Sequence, residues 1–257
     1  MKHHFQIGII EDHPSNAELL TQLFLSEIYA VKHWEAARDA WNGVNNNDPM
    51  DLVVLDLDVD QNHSRSVNYF QLLDHIRVRW NSSRVIALTA LNKQELAERG
   101  RLIRAHATVH KPYNIRNLFK LSHNLLEDML SENINDLNSQ HRSLAYQFRR
   151  LINTSPGADS KPEAVLQNLH DHFRFEETFM TRHNYPDRGQ HASNHLKILE
   201  KAKQILHRSN TDTESLQRLW REVSSDVNDD QSYMQFLEEI HKSLMEQSLS
   251  EPNRAAV

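Results

Sequence analysis

Apolar runs and amphipathic segments alternate along the first part of the chain. Five runs have the length and composition of strands: 5–10, 29–33, 51–57, 84–89 and 107–110. The run at 51–57 is almost continuously apolar, as in strands that are buried on both faces of a parallel sheet. Helical periodicity covers 16–27 and 67–80. Strands that alternate with helices over about 120 residues predict an α/β doubly wound domain.

The pattern changes after Pro112, because no further strand-like run appears. Residues 113–154 contain neither proline nor glycine and have apolar positions at helical spacing. They form either one long helix or two helices, and the capping residues within 131–136 favour two. Further helices are predicted over 162–183, 188–208 and 212–248, the last with a second break left open near 223–230. We therefore expect an α/β domain over 1–125 and an all-α domain over 126–257.

The composition is typical of a soluble globular protein, with 39% hydrophobic and 25% charged residues. No apolar run approaches the roughly 20 residues that cross a bilayer, and the N-terminus lacks the pattern of a signal peptide. We therefore expect a cytoplasmic protein that does not associate with membranes. The net charge of −6 falls on residues 126–257. The sequence has no basic cluster of the kind that would predict nucleic-acid binding.

The chain has no cysteine. This excludes disulfides, cysteine-ligated iron–sulfur clusters and thiolate zinc sites. Any bound metal must therefore be held mainly by nitrogen and oxygen. The chain is rich in such ligands, since it has 17 histidines.

Polar residues with complementary chemistry follow the predicted strands: Glu11, Asp12, Asp56, Thr89 and Lys111. Open α/β sheets bind ligands at the carboxyl ends of their strands. Three carboxylates are suited to Mg²⁺, which prefers oxygen ligands. A hydroxyl and an ammonium group can bind phosphoryl oxygens. These groups together predict phosphoryl transfer to an aspartate.

Four short segments resemble the receiver domain of bacterial response regulators: Ile9-Ile10-Glu11-Asp12, Val54-Leu55-Asp56, Ala87-Leu88-Thr89-Ala90 and Lys111-Pro112. The resemblance implies that Asp56 is the phosphoacceptor and that Glu11 and Asp12 join it around Mg²⁺. It also implies that Thr89 and Lys111 contact the phosphoryl group. A sensor histidine kinase would be the partner, and a homodimer through the receiver is a further expectation.

The chain departs from the receiver pattern at two places. Asp58 and Asp60 follow the phosphoacceptor, where the family usually has a Met-Pro or similar step and then a glycine. These carboxylates either change the metal affinity or are simply solvated. Thr108 replaces the aromatic residue three positions before Lys111. The resemblance therefore implies that phosphorylation is signalled differently in this chain.

Seven candidate metal ligands lie in the second half of the chain: His141, His172, Glu176, His191, His195, His241 and Glu246. Two pairs, His172 with Glu176 and His191 with His195, are four residues apart and so lie on one helix face. Leu169 and Met180 share the face of Glu176, so this carboxylate is expected to be half buried and to need a partner. Five imidazoles and two carboxylates suit a pair of borderline metals, above all iron, although manganese or zinc fits some of them.

The segments that carry these ligands resemble bacterial hemerythrins: Gln140-His141-Arg-Ser-Leu144, His172-Phe-Arg-Phe-Glu176-Glu177, Tyr185-Pro186, His191-Ala-Ser-Asn-His195, and His241 with Glu246 five residues later. The resemblance implies a four-helix bundle with a di-iron centre between facing helices.

The resemblance also assigns the ligands. His191, His195 and His241 would bind one iron, and His141 and His172 the other, which keeps an open position. Glu176 and Glu246 would bridge the two non-haem ions. Family members bind O₂ or respond to nitric oxide and redox state. Glu246 stands where the family usually has aspartate, and its side chain is longer by roughly 1.5 Å.

The sequence thus predicts a two-component response regulator with a phosphorylated receiver domain and a hemerythrin-like domain that binds or senses O₂, nitric oxide or redox state. Two alternatives remain open. One is a receiver-regulated di-iron enzyme that consumes peroxide or oxidises a small molecule. The other is a protein-interaction module with a degenerate receiver.

Overall fold

The structure is a computed structural model of the 257-residue chain. It describes residues 4–58, 68–92, 94–95, 103–153, 162–207, 212–229 and 231–249. The chain divides into two compact units. The first runs to Met129 and resumes at His241, and the second is Leu130–Ile240. The sequence placed a single boundary between residues 125 and 126.

A five-stranded parallel sheet organises the first unit. Its strands are β1 (Phe5–Ile10), β2 (Tyr29–Trp34), β3 (Leu52–Asp56), β4 (Arg84–Thr89) and β5 (Ala107–His110). The strand order is β2-β1-β3-β4-β5, and every neighbouring pair is parallel. All five predicted strands are confirmed. Because the direction of winding reverses at β1 and β3, their carboxyl ends border the crevice where open sheets bind ligands.

Among the described residues, three helices connect the first four strands: α1 (Pro14–Leu23), α2 (Ala37–Asn46) and α3 (Tyr69–Arg79). The sequence predicted α1 and α3 but not α2. Gly43 of α2 lies against Trp34, and a Cβ at this position would be 2.6 Å from the indole Nε1. The helix can therefore approach the tryptophan only with glycine at position 43.

A buried polar pair joins β2 to the start of the next helix, α4 (Ile115–Asn153). The hydroxyl of Tyr29 lies 2.8 Å from Nε2 of His123. Nδ1 of the same imidazole lies 2.9 Å from the carbonyl oxygen of Phe119. Both imidazole nitrogens are therefore hydrogen-bonded, as a buried polar side chain requires. Burial lowers the pKa of His123.

The predicted break in α4 is wrong, because the helix is continuous over 39 residues. Leu130 and Leu137 are buried on one side, whereas Ser131, Asn135 and Asp136 are exposed. The polar residues that suggested a cap instead lie on the solvent face of an uninterrupted helix. A capping residue marks a helix end only where the apolar face also stops.

Four further helices follow in the described part of the chain: α5 (Pro162–Arg182), α6 (Arg188–Leu206), α7 (Thr213–Asp229) and α8 (Gln231–Leu249). The segment predicted as 212–248 thus contains two described helices, and residue 230 between them lies outside the described residues. α4, α5, α6 and α7 share one apolar cluster in the second unit: Leu144, Phe148, Leu151, Val165, Leu169, Phe173, Ile198, Ala202, Leu206, Leu216, Leu219 and Val223.

The C-terminal region is therefore helical, as predicted, and its described residues include no strand. The described helices also include none that is long and apolar enough to span a membrane.

Candidate functional sites

The first candidate site lies at the carboxyl ends of the parallel strands. Asp56 ends β3, Thr89 ends β4, and Lys111 directly follows β5. Nζ of Lys111 lies 2.5 Å from Oδ2 of Asp56, which is buried. Burial opposes the charge of this ammonium group, but its ion pair with Asp56 prevails and the pKa of Lys111 is raised. A buried carboxylate is thus paired with the ammonium group of Lys111.

Two more carboxylates border Asp56. Glu11 follows β1 and is buried, and its burial and contact with Asp56 raise the pKa of Glu11 to about 7. Asp12 is half-buried. Burial and the charges of Asp12, Asp56 and Glu11 raise the pKa of Tyr69 to about 12, so all three carboxylates act on one phenol. This concentration of negative charge suits a divalent cation such as Mg²⁺.

Asp58 also belongs to this pocket, which excludes simple solvation, one of the two alternatives that the sequence left open for it. Its Oδ1 accepts a hydrogen bond of 2.8 Å from the hydroxyl of Thr89, and its Oδ2 accepts one from the backbone N–H of Ala90. Oδ2 also lies 3.5 Å from Nζ of Lys111. Its own N–H donates to Oδ1 of Asp56 over 2.9 Å. Asp60 lies outside the described residues.

The second candidate site lies in the helical unit and consists of two groups of metal-ligand atoms. His141, His172 and Glu176 form one group, and Glu176, His191 and His195 form the other. Within each group, the ligand atoms lie within 4.8 Å of one another. Because both groups contain Glu176, this carboxylate is placed to serve two ions at once.

The spacing of these atoms fits a metal shell. Nε2 of His172, His191 and His195 lies 3.7, 3.5 and 3.3 Å from Oε2 of Glu176. Nε2 of His141 lies 3.9 Å from Oε1. Two ligand atoms that each lie about 2.1 Å from one ion are roughly 3 to 3.5 Å apart. The four imidazoles and Glu176 would therefore need to move only slightly to hold metal ions.

Hydrogen bonds orient two of the imidazoles toward the centre of the cluster. Nδ1 of His172 lies 3.2 Å from the Gln140 side-chain oxygen, and Nδ1 of His195 lies 2.8 Å from Oε1 of Glu177. Among the described residues, the buried Nε2 atom of His172 has no hydrogen-bond partner, and Nε2 of His195 faces the carboxylates of Glu176 and Asp226 at 3.3 and 3.2 Å. Ligating histidines typically have this arrangement, with one nitrogen held and the other directed at the metal.

The protonation of the cluster is uneven. Burial lowers the pKa of His172 to about 4 and also lowers that of His141. Burial likewise opposes protonation of His195, but Asp226 and Glu176 outweigh it and raise its pKa to about 9. His195 is thus a cation between carboxylates in the absence of metal, and a metal ion can replace its proton as the positive charge.

Asp226 of α7 is a further member of this cluster that the sequence analysis did not identify. Its Oδ2 lies 3.2 Å from Nε2 of His195, and the residue is 7% exposed. Leu219 and Val223, seven and three residues earlier, are buried on the same helix face. An acidic residue in register with an apolar face was therefore the signal that could have identified it.

The structure does not bring His241 and Glu246 into either ligand group of the described residues. Both belong to the first unit. Nε2 of His241 lies 3.3 Å from Oε1 of Glu127, and its side chain is 42% exposed. Glu246 is 66% exposed and lies 3.8 Å from Nζ of Lys242. On α8, His241 is thus half-buried and Glu246 is exposed.

The residues that contain the first pocket match the family model of the response regulator receiver domain over 7–123. Residues 7–123 are a response regulator receiver domain. The receiver domain has the parallel sheet and the strand-end acidic pocket that the sequence predicted. It is the receiver of a two-component response regulator, and a helical region follows it.

Several solved structures are similar to this part of the chain. A CheY-like response regulator receiver domain protein from Methanospirillum hungatei is 20% identical, with 50% of this chain and 98% of that chain covered and a TM-score of 0.43. Chemotaxis protein CheY4 of Vibrio cholerae is 16% identical, with 47% and 98% covered and a TM-score of 0.40. Response regulator TrrA of Thermotoga maritima is 24% identical, with 49% and 99% covered and a TM-score of 0.38.

No curated protein has detectable sequence similarity to the chain. The identification of the receiver domain therefore rests on the family model. The function of the helical region is inferred from the arrangement of its own side chains.

Proposed function

We propose that this protein is a response regulator in which Asp56 accepts a phosphoryl group and the helical region binds a pair of iron ions. The ion pair would make the helical region a sensor of O₂, nitric oxide or redox state. The observation that carries the metal part is the sharing of Glu176 by two ligand groups. A single structural ion would not need two groups that meet at one carboxylate.

In the receiver domain, an oxygen of Asp56 attacks the phosphorus of a phosphohistidine on a sensor kinase. The O–P bond forms as the N–P bond breaks, and the histidine takes up a proton. Glu11, Asp12 and Asp56 would hold Mg²⁺, which offsets the charge of the phosphoryl oxygens. Lys111 and Thr89 bind those oxygens directly. The ion pair between Lys111 and Asp56 supports this assignment, because it places a cation beside the attacking carboxylate.

In the helical region, we assign the ligands as His141, His172, Glu176, His191, His195 and Asp226. Asp226 takes the second bridging role that the sequence gave to Glu246. Its buried contact with His195 supports the change, since Glu246 is exposed and paired with Lys242. The set has four imidazoles and two carboxylates, which suits iron in either of its common oxidation states.

A reduced iron pair supplies the electron density that binding of O₂ or nitric oxide requires. The protein residues hold and shield that pair. Gln140 and Glu177 fix the imidazoles of His172 and His195. Phe173 stacks on His195 with 3.8 Å between ring centroids and 7° between planes. The hydrogen bonds hold the two imidazoles in orientation, and Phe173 covers one face of the His195 ring.

The proposal is tested on the full-length protein after anaerobic reconstitution with Fe²⁺. About two irons per chain, with a new charge-transfer absorption after O₂ or nitric oxide is added, are expected. Glu176→Gln should remove most of the iron, because it alters both groups. Glu163→Gln is the matched control, since Glu163 is exposed in the first turn of α5. Iron content that does not differ between the two variants would contradict the proposed centre.

The receiver part is tested separately with acetyl phosphate and Mg²⁺. Mass spectrometry of the wild type should show one added phosphoryl group, which Asp56→Asn abolishes. Asp74→Asn, a charge-matched change at an exposed position on α3, should leave it intact. A wild-type receiver that is folded, binds Mg²⁺ and is never modified would favour the interaction-module alternative.

A further inference from the structure

Three hydrogen-bond donors in the receiver pocket converge on one carboxylate of the chain itself. The hydroxyl of Thr89 donates to Oδ1 of Asp58 over 2.8 Å. The backbone N–H of Ala90 donates to Oδ2, and Nζ of Lys111 lies 3.5 Å from the same oxygen. The donors come from the ends of β4 and β5, whereas Asp58 follows β3. The sheet therefore assembles a binding site for an anion, and a side chain fills it.

This binding site has the chemistry that a phosphoryl group on Asp56 requires. A hydroxyl, a backbone N–H and an ammonium group are three donors for the oxygens of a phosphoryl group. Lys111 contacts both carboxylates, with Nζ 2.5 Å from Asp56 and 3.5 Å from Asp58. The Asp58 N–H also donates to Oδ1 of Asp56. The filled site thus adjoins the atom to which the phosphorus would bond.

We propose that the Asp58 carboxylate occupies the position of the phosphoryl oxygens in the unphosphorylated receiver and must leave before Asp56 can be phosphorylated. The inference rests on the proposed role of Asp56 as phosphoacceptor. Asp58 thereby sets how readily the receiver accepts phosphate. It also engages Thr89 before any phosphate arrives, so the signal of phosphorylation includes the release of Asp58.

Charge gives the reason that displacement is required. Glu11, Asp56 and Asp58 already share one small pocket with a single ammonium group among the described side chains nearby. Phosphorylation replaces the single negative charge of the Asp56 carboxylate with about two negative charges on the phosphoryl oxygens, a net gain of about one. Like charges at such distances disfavour one another strongly in a partly buried site. The pocket can therefore hold either the Asp58 carboxylate or the phosphoryl oxygens on these donors.

A first experiment examines the resting state of the full-length protein by NMR, without a phosphodonor. The Ala90 amide proton should resonate downfield in the wild type, because it donates to a carboxylate, and move upfield in Asp58→Ala. Asp74→Asn should leave it in place. An Ala90 amide proton that does not respond to Asp58→Ala would overturn the proposed occupancy, whatever Asp56 does.

A second experiment measures competition with beryllofluoride in the presence of Mg²⁺, followed by fluorine NMR and titration calorimetry. Asp58→Ala should bind beryllofluoride on the order of tenfold more tightly than the wild type, because a charge-assisted competitor is gone. Asp58→Asn should fall between them, since it keeps the acceptor but loses the charge. Asp74→Asn should match the wild type.

The outcomes separate the two proposals. Equal or weaker binding in Asp58→Ala, with binding in the wild type, would overturn the role of Asp58 and leave the phosphoacceptor role of Asp56 standing. Binding in none of the proteins, with the fold and Mg²⁺ binding intact, would overturn the phosphoacceptor role and the displacement together. The Ala90 resonance would then still report whether Asp58 occupies the donors.

Discussion

Oδ2 of Asp226 lies 3.2 Å from Nε2 of His195, and both side chains are buried. The contact brings a carboxylate of α7 to the cluster on α5 and α6. If Asp226 is a ligand, Asp226→Asn should lower the iron content by about one ion per chain, because an amide is a much weaker ligand for iron than a carboxylate. Iron per chain, measured after reconstitution and desalting, tests this.

Glu246→Gln is the matched comparison, since it removes the carboxylate that the sequence motif favoured. Its 66% exposed side chain predicts an unchanged iron content. Loss of iron in Glu246→Gln together with full loading of Asp226→Asn would instead restore the ligand set that the sequence suggested.

Oε1 of Glu177 accepts a hydrogen bond of 2.8 Å from Nδ1 of His195. The Glu177 side chain is only partly exposed. Glu177→Gln keeps the shape but loses the charge that favours the correct imidazole orientation. Metal affinity should fall by roughly 10-fold to 100-fold, as for other residues that orient a ligating histidine. Competition against a chelator of known affinity measures the change. Glu163→Gln, which is remote from the cluster along α5, should give the wild-type value, and an equal fall in both variants would argue against the orienting role.

The raised pKa of Glu11 predicts a pH-dependent affinity for Mg²⁺. Burial first, and then its contact with Asp56, raises this pKa to about 7. Mg²⁺ binds the ionised carboxylate, so protons compete with it below pH 7 and not above. The dissociation constant should rise roughly tenfold between pH 8 and pH 6. Titration calorimetry at the two pH values tests this, and a constant that does not change would contradict the assigned role of Glu11.

The same pKa also fixes the sign of a stability effect. Because the folded value lies above the ordinary value of 4.5, the metal-free receiver binds a proton more tightly than the unfolded chain does. The contribution of Glu11 to stability is therefore fully present below about pH 4.5 and is lost as the pH rises through about 7. Saturating Mg²⁺ should remove this loss, and Glu11→Gln should remove its pH dependence.

Tyr29→Phe tests the buried pair in the receiver core. The change removes the hydroxyl that lies 2.8 Å from Nε2 of His123 and leaves that nitrogen buried without its partner. The free energy of unfolding of the receiver should fall by about 1 to 3 kcal/mol. Urea unfolding measures this. Tyr146→Phe, at a tyrosine that is 66% exposed, should change stability by no more than about 0.5 kcal/mol, and equal effects of the two would contradict the argument.

The sheet could be predicted because its central strands are buried on both faces. β3 and β4 have uninterrupted apolar runs, and such runs are distinctive whatever surrounds them. Helix α2 could not be predicted, because alanines and Gly43 form much of its buried side. These residues carry little hydrophobic signal, and the glycine lowers helix propensity. The large apolar partner, Trp34, lies on a neighbouring strand, so this packing cannot be read from the local sequence.

The residues of the candidate sites could likewise be predicted only where the local sequence carries the signal. His172, Glu176, His191 and His195 were identified because four-residue spacing places each pair on one helix face. Asp226 was missed because its partner, His195, is on another helix, and only tertiary packing joins them. Asp58 was expected either to alter metal affinity or to be solvated, since nothing in the local sequence indicates that donors from β4 and β5 lie around it.

Glu176 is common to both groups of ligand atoms in the helical region. If this carboxylate serves two ions as proposed, the occupancy of one position changes the free energy of filling the other. The affinities of the two positions are then properties of the pair, in the way that coupled titrating groups have joint rather than individual constants. Under the proposed function, the filling of the two positions would therefore be thermodynamically coupled.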